Sequence, residues 1–153
     1  MTEQQERRAV ITEALTWRGT PFVWEAAIKG VGVDCGRFIA AALNGAGVRQ
    51  IDIAKLPHLS PQWFLHHSDE SFIKLIEQFA TEYEPQAGRT PKPASMVVAK
   101  LGMDWGHSAL VMDWPKVIGA ANEHCVTVWN NVFLSPQYGR KKLRYFDFWG
   151  SHV

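Results

Sequence analysis

Along the first half of the chain apolar positions recur at helical spacing; beyond Ser95 they alternate. Val10, Ile11, Ala14, Leu15 and Trp17 share one such spacing, and Thr2 with Gln5 can form a capping box. They predict a helix over about 3–18, stopped by Gly19 and turned away by Thr20-Pro21. Residues 20–33 read as a loop with an aromatic start and a glycine-rich end. Asp34 then suits an N-cap, and Cys35, Phe38, Ile39, Ala42 and Leu43 fall on one face of a buried helix over about 35–45. Cys35 lies at the inner edge of that apolar stripe.

Residues 49–67 lack periodicity and hold Pro57 and Pro61, which reads as an insertion packing through Leu56, Trp63 and Phe64. Ser68 suits the cap of a third helix, with Phe72, Leu75, Ile76 and Phe79 inward and an end near Tyr83. Pro85, Gly88, Pro91 and Pro93 form a connector. After it the stretches 96–100, 107–112, 116–120, 124–130 and 142–149 alternate as strands do, with Asp113-Trp114-Pro115 as a hairpin turn. Helices first and a mostly antiparallel sheet of five or six strands second is an α+β order. The 153 residues make one domain, 1–153, carrying a helical insertion at about 49–84.

Composition narrows the function. Apolar residues are 46% of the chain, enough for a core, and the net charge of +1 with no basic stripe argues against nucleic acid as partner. Arg140-Lys141-Lys142 with Arg144 reads as a solvated turn and strand edge. Two cysteines, Cys35 and Cys125, are too few for a disulfide framework. The polar N-terminus reads as having no signal peptide, and no apolar run reaches the length of a membrane span. The expectation is a protein that is cytoplasmic when made.

The chemistry centres on Cys35. A thiol at a helix start meets unpaired N–H groups and the positive end of the helix dipole, so its pKa is expected to fall below about 8.5. A nucleophile needs a base, and the base an orienting partner. His107, at the predicted start of a strand after Gly102-Met103-Asp104-Trp105-Gly106, supplies the base. A zinc site from Cys35, His107, His124 and Cys125 lacks any close ligand pair, so no metal and no cofactor are expected. His58, His66, His67 and His152 read as surface residues. Trp24 and Trp105 flank the expected cleft as possible walls.

Three stretches, Trp17-Arg18-Gly19-Thr20-Pro21-Phe22, Gly32-Val33-Asp34-Cys35-Gly36-Arg37-Phe38 and Gly106-His107-Ser108-Ala109-Leu110-Val111, resemble the NlpC-type cell-wall cysteine peptidases. The likeness is to the branch encoded with phage tails and gene-transfer agents. Pro57-His58-Leu59-Ser60-Pro61-Gln62-Trp63 and the aromatic strand Leu143-Arg144-Tyr145-Phe146-Asp147-Phe148 share its flavour. The resemblance implies a papain-like fold and a cysteine endopeptidase acting on peptidoglycan stem peptides, with phage tail proteins as possible partners and the virion as a possible location. It implies Cys35 as nucleophile, with its backbone N–H in the oxyanion hole, and His107 as base. Asp34 would help bind the free amino end of the stem peptide, and Phe22 and Trp24 would contact substrate.

Three positions depart from that pattern. Phe22 replaces the family tyrosine, Gly36 the serine after the nucleophile, and Gly119-Ala120 the His-Ala pair that supplies the third catalytic residue twelve positions after the base. If the hairpin turns near Trp114-Pro115, position 122 lies roughly opposite 107, so Asn122 is the expected acceptor for His107, with His124 as substitute. The alternatives are a catalytically impaired tail-assembly protein of the same fold, or an amidase or acyltransferase on lipid or small amide substrates. An open polar groove favours peptide and a deep apolar tunnel favours lipid.

Overall fold

A computed structural model describes residues 1–58, 68–121 and 124–150. The Thr2–Gln5 capping box opens helix α1, Glu3–Leu15, which ends three residues before the expected stop; Gly19 lies in the left-handed region beyond it. A short pair of strands, β1 (Ala27–Ile28) and β2 (Gly32–Val33), leads into α2, Cys35–Gly45. Asp34 caps α2 by accepting the amide N–H of Arg37 at 2.8 Å.

The expected insertion is described in part: a short 3₁₀ turn spans Ile53–Lys55, and Trp63 and Phe64 lie outside the described residues. The third helix is shorter than its periodicity predicts. α3 spans Ser71–Ile76, and its N-cap residue is Glu70, not Ser68. Phe72 and Ile76 are buried as expected, but residues 81–83 leave the helical pattern and form strand β3, Thr81–Tyr83. The cause is tertiary. β3 pairs with the last strand, and Glu82 receives a bidentate Arg144 guanidinium at 2.6 and 2.7 Å.

Strands β4 (Met96–Leu101), β5 (Asp104–Val111), β6 (Val117–Ala120), β7 (Val126–Trp129) and β8 (Arg144–Asp147) complete a six-stranded antiparallel sheet of order β3-β8-β4-β5-β6-β7. The turn at 113–115 is where the alternation puts it. The strand holding His107 is not: β5 begins at Asp104, because Gly102-Met103 closes a tight hairpin in which Leu101 pairs with Asp104. His107 is therefore its fourth residue. Pairing Ala99 with His107 but Lys100 with Trp105 leaves Gly106 as one extra residue, a bulge.

One sheet face (Met96, Val98, Leu110, Ile118, Ala120, Phe146) packs on α1, α2 and α3. The other (Val97, Ala99, Ala109, Val117) is covered by Val132 and Tyr138 from the segment before β8. α1 is also fastened through charge. The buried Arg7 guanidinium donates to Asp147 at 2.7 Å and to the Pro93 carbonyl at 2.7 Å, and it stacks 4.3 Å from the Trp149 ring centroid.

Candidate functional site

The site forms where the first turn of α2 meets the bulge of β5. The Cys35 thiol donates to the Gly106 carbonyl at 3.3 Å. Two residues along, the amide and hydroxyl of Ser108 also act on the sulfur. β5 pairs with β6 only over Leu110–Ile118 and Val111–Val117, so its edge from Gly106 to Ala109 has no ladder partner on the β6 side. The thiol reaches β5 through the peptide units that flank His107.

The imidazole stands on the opposite face of that strand. His107 shares a face with its cross-strand partner Ala99 and with Ala109, and its ring lies 6.0 Å from that of Tyr138, which is in turn 5.6 Å from Trp129. Thiol and imidazole make no hydrogen bond to each other, and neither ring nitrogen has a hydrogen-bond partner among the described residues. The structure thus brings the sulfur to the backbone around His107 with the imidazole still on the other side.

Electrostatics correct the expectation of a resting thiolate. Burial, and then the Asp34 charge, push the Cys35 thiol up to about 12. The dipole of an eleven-residue helix does not offset the loss of water around a cysteine only 7% exposed. Burial pushes His107 down to about 4, with the Lys141 ammonium adding to the effect. The resting pair is a neutral thiol and a neutral imidazole.

This makes acid stability readable. The unfolded imidazole, near 6.5, binds its proton more readily than the folded one. Stability is therefore expected to fall as pH drops from about 6.5 to about 4, by about 3 kcal/mol in all, and to level off below. His107→Gln should remove that slope from urea titrations across the window; an unchanged slope would place the imidazole in water.

The other expected residues are distributed as follows. The buried Asp34 carboxylate is engaged within the chain, accepting from the Arg37 N–H at 2.8 Å, the Arg37 guanidinium at 2.9 Å and the Glu25 N–H at 2.8 Å. Phe22 and Trp24 form an edge-on pair 5.0 Å apart on the same side of the site, with Trp24 lining a cavity beside Cys35. Gly36 lies under Phe72, whose ring would be 3.1 Å from an added Cβ, so a serine there would crowd α3. Asn122 lies outside the described residues. The hairpin register that pointed to it is shifted by one: Leu110 pairs with Ile118, which sets Ala121 level with His107. His124 is exposed; its backbone bonds to Ala121 and Phe22, and its side chain makes no hydrogen bond to His107. Cys125 bridges to Pro21, away from the thiol at α2.

Gly119 is closed to any side chain. A Cβ there would sit 2.9 Å from the Ala109 Cβ and 3.1 Å from the Ser108 carbonyl oxygen. Gly119→Ala is expected to destabilise the fold by about 1–3 kcal/mol through overpacking between β5 and β6, checked by the urea midpoint.

Two cavities lie near the site, one beside Cys35 and the other against Trp105. One, of about 70 Å³, is apolar and lined by Ile39, Leu43, Phe72, Ile76 and Met96 with Cys35 at its wall. The other, about 760 Å³, is polar and lined by Lys100, Lys141, Lys142, Arg144 and Glu82. Trp105 carries the Arg144 guanidinium 5.0 Å from its centroid. Ser108 and Tyr138 were not legible as site residues. The only trace of Ser108 is a hydroxyl on the core face of an apolar strand, and Tyr138 arrives from a turn with no periodicity.

No family model and no curated protein matches the chain. Solved structures do match its fold. The NlpC/p60 domain of the peptidoglycan hydrolase SagA aligns at TM-score 0.58 and 19% identity, over 90% of this chain and 96% of that one. The peptidoglycan hydrolase RipB from Mycobacterium tuberculosis aligns at 0.59 and 18%, over 97% and 68%. RipD from the same organism, described as a non-catalytic NlpC/p60 domain protein adapted to peptidoglycan binding, aligns at 0.56 and 20%, over 95% and 99%. The fold is that of NlpC/p60 domains.

Proposed function

We propose that this chain is a papain-like cysteine peptidase that hydrolyses an amide bond of peptidoglycan stem peptides, in the setting of a phage tail or prophage. The observation that carries the reading is the Cys35 thiol in the first turn of α2, against the backbone on either side of His107. A neutral imidazole can accept a proton, and a neutral thiol can give one at the moment of attack. The sulfur adds to the amide carbonyl as His107 takes its proton. The Cys35 backbone N–H steadies the oxyanion, the imidazolium protonates the leaving amine, and water releases the acyl group from sulfur.

For this the His107 ring must turn toward the sulfur, with its other nitrogen held by an acceptor. Asn122 is the proposed acceptor, with His124 as substitute. Asp34, Phe22 and Trp24 form the side of the cleft where the amino end of the substrate would lie. The polar groove beyond Trp105 suits a charged peptide and counts against the lipid acyltransferase alternative. The phage setting rests on the resemblance of the 57–63 segment and of the aromatic last strand.

A second reading has one specific observation in its favour. Gly119 offers no side chain to orient His107 and has no room for one, which suits a protein that keeps the fold and binds peptidoglycan without cutting it. RipD has that description. Incubation with defined muropeptides separates the two. The peptidase releases a fragment with a new amino group, seen by mass spectrometry. Intact muropeptides that nonetheless bind would favour the second reading.

A further inference from the structure

Ser108 is an anomaly. Its register with Val98 turns the side chain to the helix-packed face of the sheet, between apolar neighbours, and it is fully buried. Its hydroxyl makes no hydrogen bond of normal geometry. Leaving such a group unpaired in a core is costly, and an alanine there would avoid the cost. Two residues before it in β5, the Gly106 carbonyl accepts the Cys35 thiol proton at 3.3 Å in the resting state, and the Ser108 hydroxyl and amide bear on the same sulfur.

We infer that Ser108 is a catalytic residue that stabilises the Cys35 thiolate: its hydroxyl and backbone N–H donate to the sulfur once His107 has taken the thiol proton. No atom is consumed. The thiol proton moves to the imidazole, the bond to the Gly106 carbonyl is lost, and the sulfur becomes an acceptor for donors already in place. The hydroxyl is unsatisfied in the neutral state because the partner it serves is the charged one. The need is specific to this site. Burial and the Asp34 carboxylate oppose ionisation of Cys35, Tyr138 is a further buried acid on the His107 side, and Arg37 is paired with Asp34. The Ser108 hydroxyl and amide act in the opposite sense on the sulfur.

The inference rests on the peptidase reading for its catalytic meaning, but its test needs no turnover. In a Cys125→Ala background, the iodoacetamide alkylation rate of Cys35 is followed against pH in the folded protein, for Ser108, Ser108→Ala and Ser108→Thr. Removing one charge-assisted donor should slow alkylation about tenfold at a given pH and move the profile up by about one pH unit. Thermal stability of Ser108→Ala should be unchanged or raised, because an unpaired buried hydroxyl has gone. Threonine should restore part of the rate. A Ser108→Ala variant that melts earlier yet alkylates like the parent would make Ser108 structural and overturn the inference. If the Ser108 effect on alkylation is present but muropeptides stay uncut, the thiolate role stands and the peptidase reading falls.

Discussion

Cys35→Ala is expected to lower muropeptide turnover by at least about 10³-fold, because the covalent route runs through its sulfur. The side chain lost is small and lies at the cavity wall, so the unfolding free energy should drop by about 1 kcal/mol or less. The contrast between lost activity and retained fold is the informative part. Cys125→Ala, on the far side of the Pro21 bridge, should leave turnover largely intact. Steady-state rates and urea midpoints measured on both variants check this. Exchanged effects would mean that the nucleophile has been misassigned.

The second large effect is on stability and lies far from the chemistry. Arg7→Leu removes the guanidinium that pairs with Asp147 at 2.7 Å, where the arginine is 5% exposed and the aspartate 1%. Removing one side of a buried ion pair costs about 3–5 kcal/mol. α1 would also lose its donor to the Pro93 carbonyl and its contact with Trp149. Urea denaturation should show the loss at neutral pH, and the double variant Arg7→Leu/Asp147→Leu should recover much of it. A single variant within about 1 kcal/mol of the parent would mean that α1 is held by its apolar contacts alone.

What could be read from the sequence was what local chemistry decides. The Thr2–Gln5 box, the Asp34 cap and the apolar stripe of 35–45 name their own helices because each depends on residues a few positions apart. The order of helices then strands, and the 113–115 turn, are legible for the same reason. The failures are non-local. Thr81–Tyr83 follows a helical stripe but is recruited to a sheet edge by a strand more than sixty residues later and by the Arg144–Glu82 pair. The hairpin at Gly102-Met103 and the bulge at Gly106 set which face His107 takes. A single-residue shift between β5 and β6 puts Ala121 where Asn122 was expected, and a period of two makes such a slip change faces. The thiol's pKa was misjudged because a helix start is visible in sequence and burial is not. The Cys35 thiol does lie against the backbone beside His107, with the imidazole on the other face of β5. Ser108 and Tyr138, whose roles come from packing, have no comparable mark.

The most direct test of the central claim is capture of the covalent intermediate. The protein is mixed with a defined muropeptide, quenched in acid within milliseconds to seconds, and mapped by peptide mass spectrometry. An acyl group from the stem peptide is expected on Cys35 in the parent, absent from Cys35→Ala and accumulating more slowly in His107→Gln. An unmodified Cys35 in a sample that still cleaves muropeptides, or an acyl group carried by another residue, would contradict that claim.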